Sequence, residues 1–277
     1  MRRATRERTG GPLVLDVRGR PGPPPLRFVR AAGQAPALHQ GDHTLLRSRW
    51  VGDGCCRDLH LRRLPGHRSP LPPLRAASMR APADWRHRYA RWLETTPYGP
   101  LHDGRWSLTA RTAFAPGIWT EDLVRGWPDG VLELHCGGGW HGVLPLRPLS
   151  APDAPRVKAY RKHARDGTLA PVLLWWVSFL DGWLLLDGHD RAVAALAEGG
   201  EPACVVLARL PDEAEWRRTA QDVTRAYEER TARLSDRPAA PGTGHQHTAL
   251  ARGWTDALAT LPYDEAPTPA WPPPDDA

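Results

Sequence analysis

The chain has little lysine, methionine and phenylalanine. Only Lys158 and Lys162 among its 37 basic residues are lysine, and it has two Met and three Phe against 13 Trp. A GC-rich genome produces the same arginine bias, so the excess of arginine is not by itself a sign of nucleic-acid binding. The four cysteines show no CxxC spacing and two of them are adjacent, which argues against a disulfide framework and favours a reducing compartment.

Long hydrophobic runs are also absent. No window approaches the ~18 apolar residues that a membrane-spanning helix needs. The first eleven residues, MRRATRERTGG, are basic but are not followed by the apolar run of a signal peptide. The sequence therefore predicts a soluble, cytoplasmic protein with no membrane partner.

The charge of the chain is divided between two parts. Residues 1–78 hold 15 Arg and five acidic residues, a net charge of +10, whereas residues 79–277 hold 22 basic and 26 acidic residues, a net charge of −4. The first part also has ten Pro and a single Trp, so little apolar area offsets the entropy of ordering, and we expect disorder there. Three interpretations are open: a basic arm for nucleic acid or anionic membrane, a solvated tail, or sequence upstream of a true start at Met79.

From Met79 onward the sequence predicts an α+β fold, a small mixed sheet with flanking helices between disordered termini. Residues 79–143 are expected to be a Trp-rich mixed region packed on the core. Residues 144–235 are expected to form that core and a covering helix, and residues 236–277 a loose, Pro-rich tail that contains one short helical piece at 248–260. The predicted order in the core is helix, strand, strand, helix, strand, at 155–166, 171–178, 183–186, 191–198 and 203–207.

The feature with the clearest chemistry is the segment 184–196, LLLDGHDRAVAAL. A strand that ends at Asp187-Gly188 and leads directly into a helix leaves the first backbone N–H groups of that helix without partners, at the positive end of its dipole. Gly188 permits positive φ and close approach of a ligand to the backbone. Arg191, in the first helical turn, offers a planar set of donors suited to phosphate oxygens. The local pattern therefore predicts an anion site, such as a nucleotide-phosphate site.

An arginine in the first turn of a helix opposes the helix dipole, so its position needs an explanation. A bound anion is one explanation, and a salt bridge from Arg191 to Asp187, Asp190 or Asp153 is the other.

Residues 144–210 resemble the core of the ParB/sulfiredoxin superfamily, in which a helix ending in Asp-Gly precedes two strands, a glycine–x–x–arginine turn and a second helix. The matching residues are Asp166-Gly167, Pro171 and the turn, followed by Ala194-Ala195. The resemblance covers about a quarter of the chain. It implies phosphate binding, with ATP, ADP or CTP and Mg²⁺ as candidate cofactors, at Asp187, Gly188, His189, Asp190 and Arg191.

Departures from the family argue against two of its activities. Sulfiredoxins place a cysteine beside the turn glycine, where this chain has His189, so sulfinic acid reduction is not expected. ParB proteins follow the core with a helix-turn-helix, where this chain has one helix and a Pro-rich tail, so specific DNA binding is not expected either.

The form Asp-Gly-His-x-Arg is nearest to the free-serine kinase branch, which uses a carboxylate before the first core helix as general base. Asp153 is the candidate here, and an N-cap of that helix is its alternative role. Mg²⁺ would bind Asp187 or Asp190. Two functions remain open, an NTP-dependent phosphotransferase or NTPase, and a non-catalytic ParB-like module that binds a nucleotide, another anion or a protein.

Overall fold

The computed structural model describes residues 12–51, 58–115, 117–119, 131–134, 142–235, 243–260 and 266–273. Within these residues it contains helices, strands and two mixed sheets, which confirms the α+β class. The strands are β1 (Leu13–Val17), β2 (Leu26–Val29), β3 (Ala37–Gln40), β4 (His43–Val51), β5 (Asp58–Arg63), β6 (Gly104–Arg111), β7 (Val131–Leu134), β8 (Val143–Pro145), β9 (Val172–Val177), β10 (Gly182–Asp187), β11 (Cys204–Leu210) and β12 (Ala270–Trp271). The helices are α1 (Ala76–Arg80), α2 (Trp85–Thr95), α3 (Pro155–Arg165), α4 (His189–Ala197), α5 (Glu213–Ser235) and α6 (Thr243–Thr260).

The first sheet carries the predicted core, in the strand order β1-β6-β11-β9-β10-β8. Strands β9 and β11 are parallel, β9 and β10 are antiparallel, and β10 is parallel to β8. The expected helix-strand-strand-helix-strand order is present as α3, β9, β10, α4 and β11. The connection between β9 and β10 contains a 3₁₀ turn at Ser178–Leu180, which is followed by Asp181 in the left-handed region.

The expectation that residues 1–78 are disordered is wrong for residues 12–51 and 58–78. Strand β1 extends the first sheet by pairing with β6, with Leu15 opposite Trp106. Strands β2 to β5 build most of the second sheet, whose order is β12-β2-β3-β4-β5-β7. Residues 1–11 and 52–57 lie outside the described residues.

Side-chain alternation explains why this Pro-rich segment folds. Leu13, Leu15 and Val17 of β1 are buried while the residues between them are partly exposed, as a strand with one covered face requires. The same pattern recurs at Leu59 and Leu61 of β5. These side chains join one hydrophobic cluster with residues of β6, β9 and β10, so the core extends well beyond residues 144–235.

Residues 210–266 form a second compact unit, distinct from the one made by residues 1–209 and 267–277. Its described part is the helix pair α5 and α6, joined by a stack of Tyr227 on Trp254 with ring centroids 5.0 Å apart. The helical piece predicted at 248–260 within the tail is present, and the helix that contains it begins earlier, at Thr243. The prediction of a loose tail is wrong for residues 243–247, which belong to that helix, and for Ala270–Trp271, which pair in parallel with β2.

None of the described helices combines the length and the apolar character that crossing a bilayer requires.

Substitution in β1 tests whether the N-terminal segment belongs to the core. Leu15→Ala removes a side chain that is 3% exposed and should lower the free energy of unfolding by about 2–5 kcal/mol, the usual cost of a core cavity. Val14→Ala, one position along the same strand and half-buried, should cost clearly less. Urea unfolding curves measure both losses. An unchanged midpoint for Leu15→Ala would show that β1 does not contribute to the core.

Candidate functional site

The predicted strand–glycine–helix turn is present. Strand β10 ends at Asp187, Gly188 adopts φ +94° as the N-cap residue, and α4 begins at His189. A Cβ on Gly188 would lie 2.8 Å from Nη2 of Arg191 and 2.8 Å from Cγ1 of Val172. The position therefore requires glycine twice over, for its backbone angle and for the space that its neighbours occupy.

Arg191 points into the protein and is 4% exposed. Its Nη2 donates to Oδ2 of Asp187 at 2.7 Å, to the carbonyl oxygen of Pro171 at 3.1 Å and to the hydroxyl of Tyr89 at 3.4 Å. Of the two explanations for this arginine, the salt bridge to Asp187 is the one observed. The guanidinium is largely committed to interior partners, although its Nε has no partner among the described residues.

Asp187 connects this pair to the N-terminal half of the chain. Its second oxygen, Oδ1, accepts a hydrogen bond from the hydroxyl of Ser69 at 2.6 Å. Tyr89, from α2, donates its hydroxyl to the Pro171 carbonyl, and burial raises the pKa of that hydroxyl above its ordinary value. The ion pair is thus held by three segments that are distant in sequence.

Asp190 faces a different set of partners. It is 7% exposed, and its Oδ1 accepts a hydrogen bond from Ser150 at 2.8 Å. Its Oδ2 lies 3.3 Å from Nε of Arg156 and 3.8 Å from Nη2 of Arg147. These two arginine side chains are 61% and 44% exposed, so Asp190 holds two cations that remain accessible to solvent.

His189 lies almost completely inside the protein, with 1% of its surface exposed. Its Nε2 is buried and has no hydrogen-bond partner among the described residues, and the same is true of Nε2 of His67. The two rings are neighbours, with centroids 5.8 Å apart.

Both histidines are neutral at pH 7. Burial, reinforced by Arg147, His67 and Arg191, lowers the pKa of His189 well below its ordinary value. Burial and Arg147 lower the pKa of His67 to about 4, although Asp187 acts in the opposite direction. Two buried polar atoms without partners are a costly arrangement unless a ligand or water completes it.

These groups surround a cavity of about 190 Å³, which we name the α4 cavity. Its apolar wall is the segment 71–74, and Arg191 and Leu186 also border it. The polar lining comes from His67, Ser69, Arg147, Arg156, Asp187 and His189. Of the predicted site residues, Asp187, His189 and Arg191 therefore line one cavity, while Asp190 positions the arginines beside it.

Four residues of this cavity were not predicted from the sequence: His67, Ser69, Arg147 and Arg156. His67 and Ser69 lie in the segment expected to be disordered. Arg147 and Arg156 lie within the predicted core, and each is one exposed arginine among many in the sequence. Their spacing gives no signal, because only the fold brings them to the beginning of α4.

Asp153 does not join this group. It is exposed in the loop before α3 and is not among the residues that line the α4 cavity. Nor does it cap α3, whose N-cap is Ala154 without a side-chain hydrogen bond. The N-cap interpretation of Asp153 is therefore wrong, and its role as a general base stays a prediction.

A second cavity, of about 330 Å³, lies on the other side of Arg191, between the end of α3 and the residues before β11. Glu198, in its lining, is held by Arg161 at 2.5 Å and Arg165 at 2.8 Å. Because this carboxylate is already paired with cations, the α4 cavity is the better candidate for a ligand that needs new polar partners.

The carboxylates beside the α4 cavity do not suit Mg²⁺. Among the described residues, no three His, Cys, Asp or Glu side chains are grouped as a metal site. Both carboxylate oxygens of Asp187 and of Asp190 already interact with hydroxyl or guanidinium donors. The described residues therefore do not form a Mg²⁺ site by themselves.

Comparison with known proteins identifies no relative. No protein-family model matches the chain, and no curated protein or solved structure does so either.

Substitution of Gly188 tests the turn. Gly188→Ala should destabilise the protein by about 1–3 kcal/mol, because it combines a strained backbone with contact against Val172 and Arg191. Gly199→Ala is the matched control, since Gly199 also has positive φ (+76°) but a Cβ at that position would have no atom within 4 Å. The difference between the melting temperatures of the two variants measures the cost of the contacts with Val172 and Arg191. Equal decreases in melting temperature would show that these contacts cost nothing.

Acidification tests the buried histidines. Because the folded-state pKa values lie below the unfolded value near 6.5, the unfolded chain binds more protons, and stability falls as the pH drops from about 7 toward 4. Each ring contributes up to about 1.4 kcal/mol per pH unit in that window. Urea unfolding at several pH values should show a smaller slope for His67→Gln and for His189→Gln. The exposed His43→Gln should keep the slope of the parent, and equal slopes in all four proteins would contradict the assignment.

Proposed function

We propose that the chain binds the phosphate group of a small molecule, a nucleotide or another phosphorylated compound, in the α4 cavity. The observation that carries the proposal is the buried Nε2 of His189, which lacks a partner among the described residues in a cavity that two accessible arginines border. Phosphate oxygens are acceptors, and a neutral imidazole can present its Nε2 as a donor to one of them.

The beginning of α4 supports the same ligand. The N-cap residue of the helix is Gly188, which has no side chain to bind the first N–H groups, and the positive end of the helix dipole favours an anion there. Arg147 and Arg156 supply planar donors of the kind that bind phosphate in pairs. Asp190 holds both arginines at the rim, which reduces the entropy lost when they take up a ligand.

The size of the α4 cavity limits what is enclosed. At about 190 Å³ it is smaller than the 300–1,000 Å³ typical of sites that hold a whole drug-sized ligand. It suits phosphate groups, and the rest of a nucleotide would extend beyond the arginines. The ParB/sulfiredoxin resemblance points to the turn Asp187–Arg191, which borders this cavity, and to ATP, ADP or CTP as the ligands to try first.

Binding is better supported than phosphoryl transfer. A kinase or NTPase reaction needs a base aimed at the acceptor, and the only candidate named by the resemblance, Asp153, does not line the cavity. We therefore favour non-catalytic binding, with turnover as the second candidate.

Calorimetric titration of the full chain with ATP, ADP, CTP and inorganic phosphate tests this function. Arg156→Ala should weaken binding about tenfold or more, since a charge-assisted hydrogen bond contributes roughly 1.5–3 kcal/mol. Arg165→Ala is a close control, because Arg165 is also on α3, is 57% exposed and pairs with a carboxylate, Glu198. It should leave the affinity unchanged.

Several outcomes decide against the proposal. If the parent protein binds none of these compounds, the phosphate site does not exist, and if Arg165→Ala weakens binding as much as Arg156→Ala, the site lies elsewhere. Asp153→Ala should bind with the affinity of the parent. Turnover of ATP that disappears in Asp153→Ala while binding persists would establish the catalytic alternative.

A further inference from the structure

The second sheet presents a basic surface that the α4 cavity does not use. One face of strands β2 to β5 buries apolar side chains, including Leu26, Leu38, Leu46, Leu59 and Leu61. Because side chains alternate along a strand, the residues between them point to the opposite face. That face, which we name the basic face, carries Arg27, His39, Arg47, Arg49, His60 and Arg62.

The register places these basic residues directly opposite one another. Arg47 of β4 faces Arg62 of β5, and Arg49 faces His60. Arg27 of β2 faces His39 of β3 in the same way. Burial, and to a lesser extent the charge of Arg27, lowers the pKa of His39. Three cross-strand pairs thus combine basic residues only.

The Arg47–Arg62 pair does not stabilise the sheet. Like charges directly opposite each other across two strands are destabilising, whereas an acidic residue at either of these two positions would be favourable. Arg47, Arg49 and Arg62 are exposed, so the described residues leave them accessible to a partner. Two acidic positions share this face near His60: Asp58 of β5 is opposite Val51, and Glu133 of β7 is opposite His60.

The geometry points to a nucleic-acid strand as the occupant, and we propose that the basic face binds its phosphodiester backbone. Successive outward positions lie about 7 Å apart along a strand, and neighbouring strands lie about 5 Å apart. An array of cations at these separations matches a polymer with a regularly repeated negative charge, while a single small anion reaches only one or two of them.

The same face predicts how the strand is read. The described outward positions of β2 to β5 include no Phe, Tyr or Trp, so the face lacks the stacking platforms that bind bases. Trp50 is 40% exposed, but it lies opposite Leu59 and so belongs to the other face. Phosphate contacts alone fix position and carry no sequence information. Binding is therefore independent of sequence.

Fluorescence anisotropy with the full chain tests this inference. The probes are labelled single-stranded RNA, single-stranded DNA and duplex DNA of mixed sequence, which together show which source of phosphodiester is preferred. With four arginine contacts to a single strand, affinity should fall roughly 50-fold between about 50 and 200 mM salt. Arg47→Glu with Arg62→Glu should weaken binding at least tenfold.

The control is a second double variant with the same change in net charge as Arg47→Glu with Arg62→Glu. Arg91→Glu with Arg218→Glu replaces two exposed arginines outside the basic face and should bind like the parent. Thermal unfolding provides a second readout, because Arg62→Glu alone replaces a repulsive pair by an attractive one and should not lower the melting temperature.

Three results would overturn the inference: no binding of any probe at about 50 mM salt, equal losses in the two double variants, or binding to phosphatidylserine vesicles without binding to nucleic acid. These results are independent of the phosphate site, since neither double variant alters a residue of the α4 cavity.

Discussion

The buried ion pair between Arg191 and Asp187 is the constraint around which the site is arranged. A guanidinium removed from water is tolerated only where a counter-charge and further acceptors replace its hydration. Here the counter-charge is Asp187, and the acceptors are the Pro171 carbonyl and the Tyr89 hydroxyl. Arg191 is therefore the side chain at which four elements meet: the beginning of β9, the end of β10, and helices α2 and α4. Because Gly188 has no Cβ, it leaves space for Nη2 of Arg191.

This arrangement changes which residues can contact a ligand. An arginine that completes the interior cannot also swing toward an anion without leaving Asp187 unpaired, a loss typically of about 3–5 kcal/mol for a buried pair. The accessible cations are instead Arg147 and Arg156, held by Asp190. The two acidic residues that flank Gly188-His189 therefore have different roles. Asp187 stabilises the interior by pairing with Arg191, and Asp190 orients the two arginines at the rim of the α4 cavity.

The parts of the fold that were predictable are those set by local pattern. The turn at Gly188, helix α3 and strands β9 to β11 follow from runs of apolar residues and from glycine and proline at their ends. Strand β1 was missed although Leu13, Leu15 and Val17 alternate in the sequence, because five residues gain their burial only from a distant partner, Leu15 opposite Trp106. The site divides in the same way. His189 was found through its own turn, whereas Arg156 became part of the cavity through tertiary packing alone.

The neutral histidines give the proposed phosphate site a coupling between ligand and proton. In the free protein, burial and the surrounding arginines keep His67 and His189 uncharged, so acidification opposes folding. A phosphate beside these rings would add negative charge within a few ångströms and would favour their protonated forms. The same rings that make folding sensitive to acid would then bind a proton together with the ligand, and the phosphate would supply a counter-charge beside them.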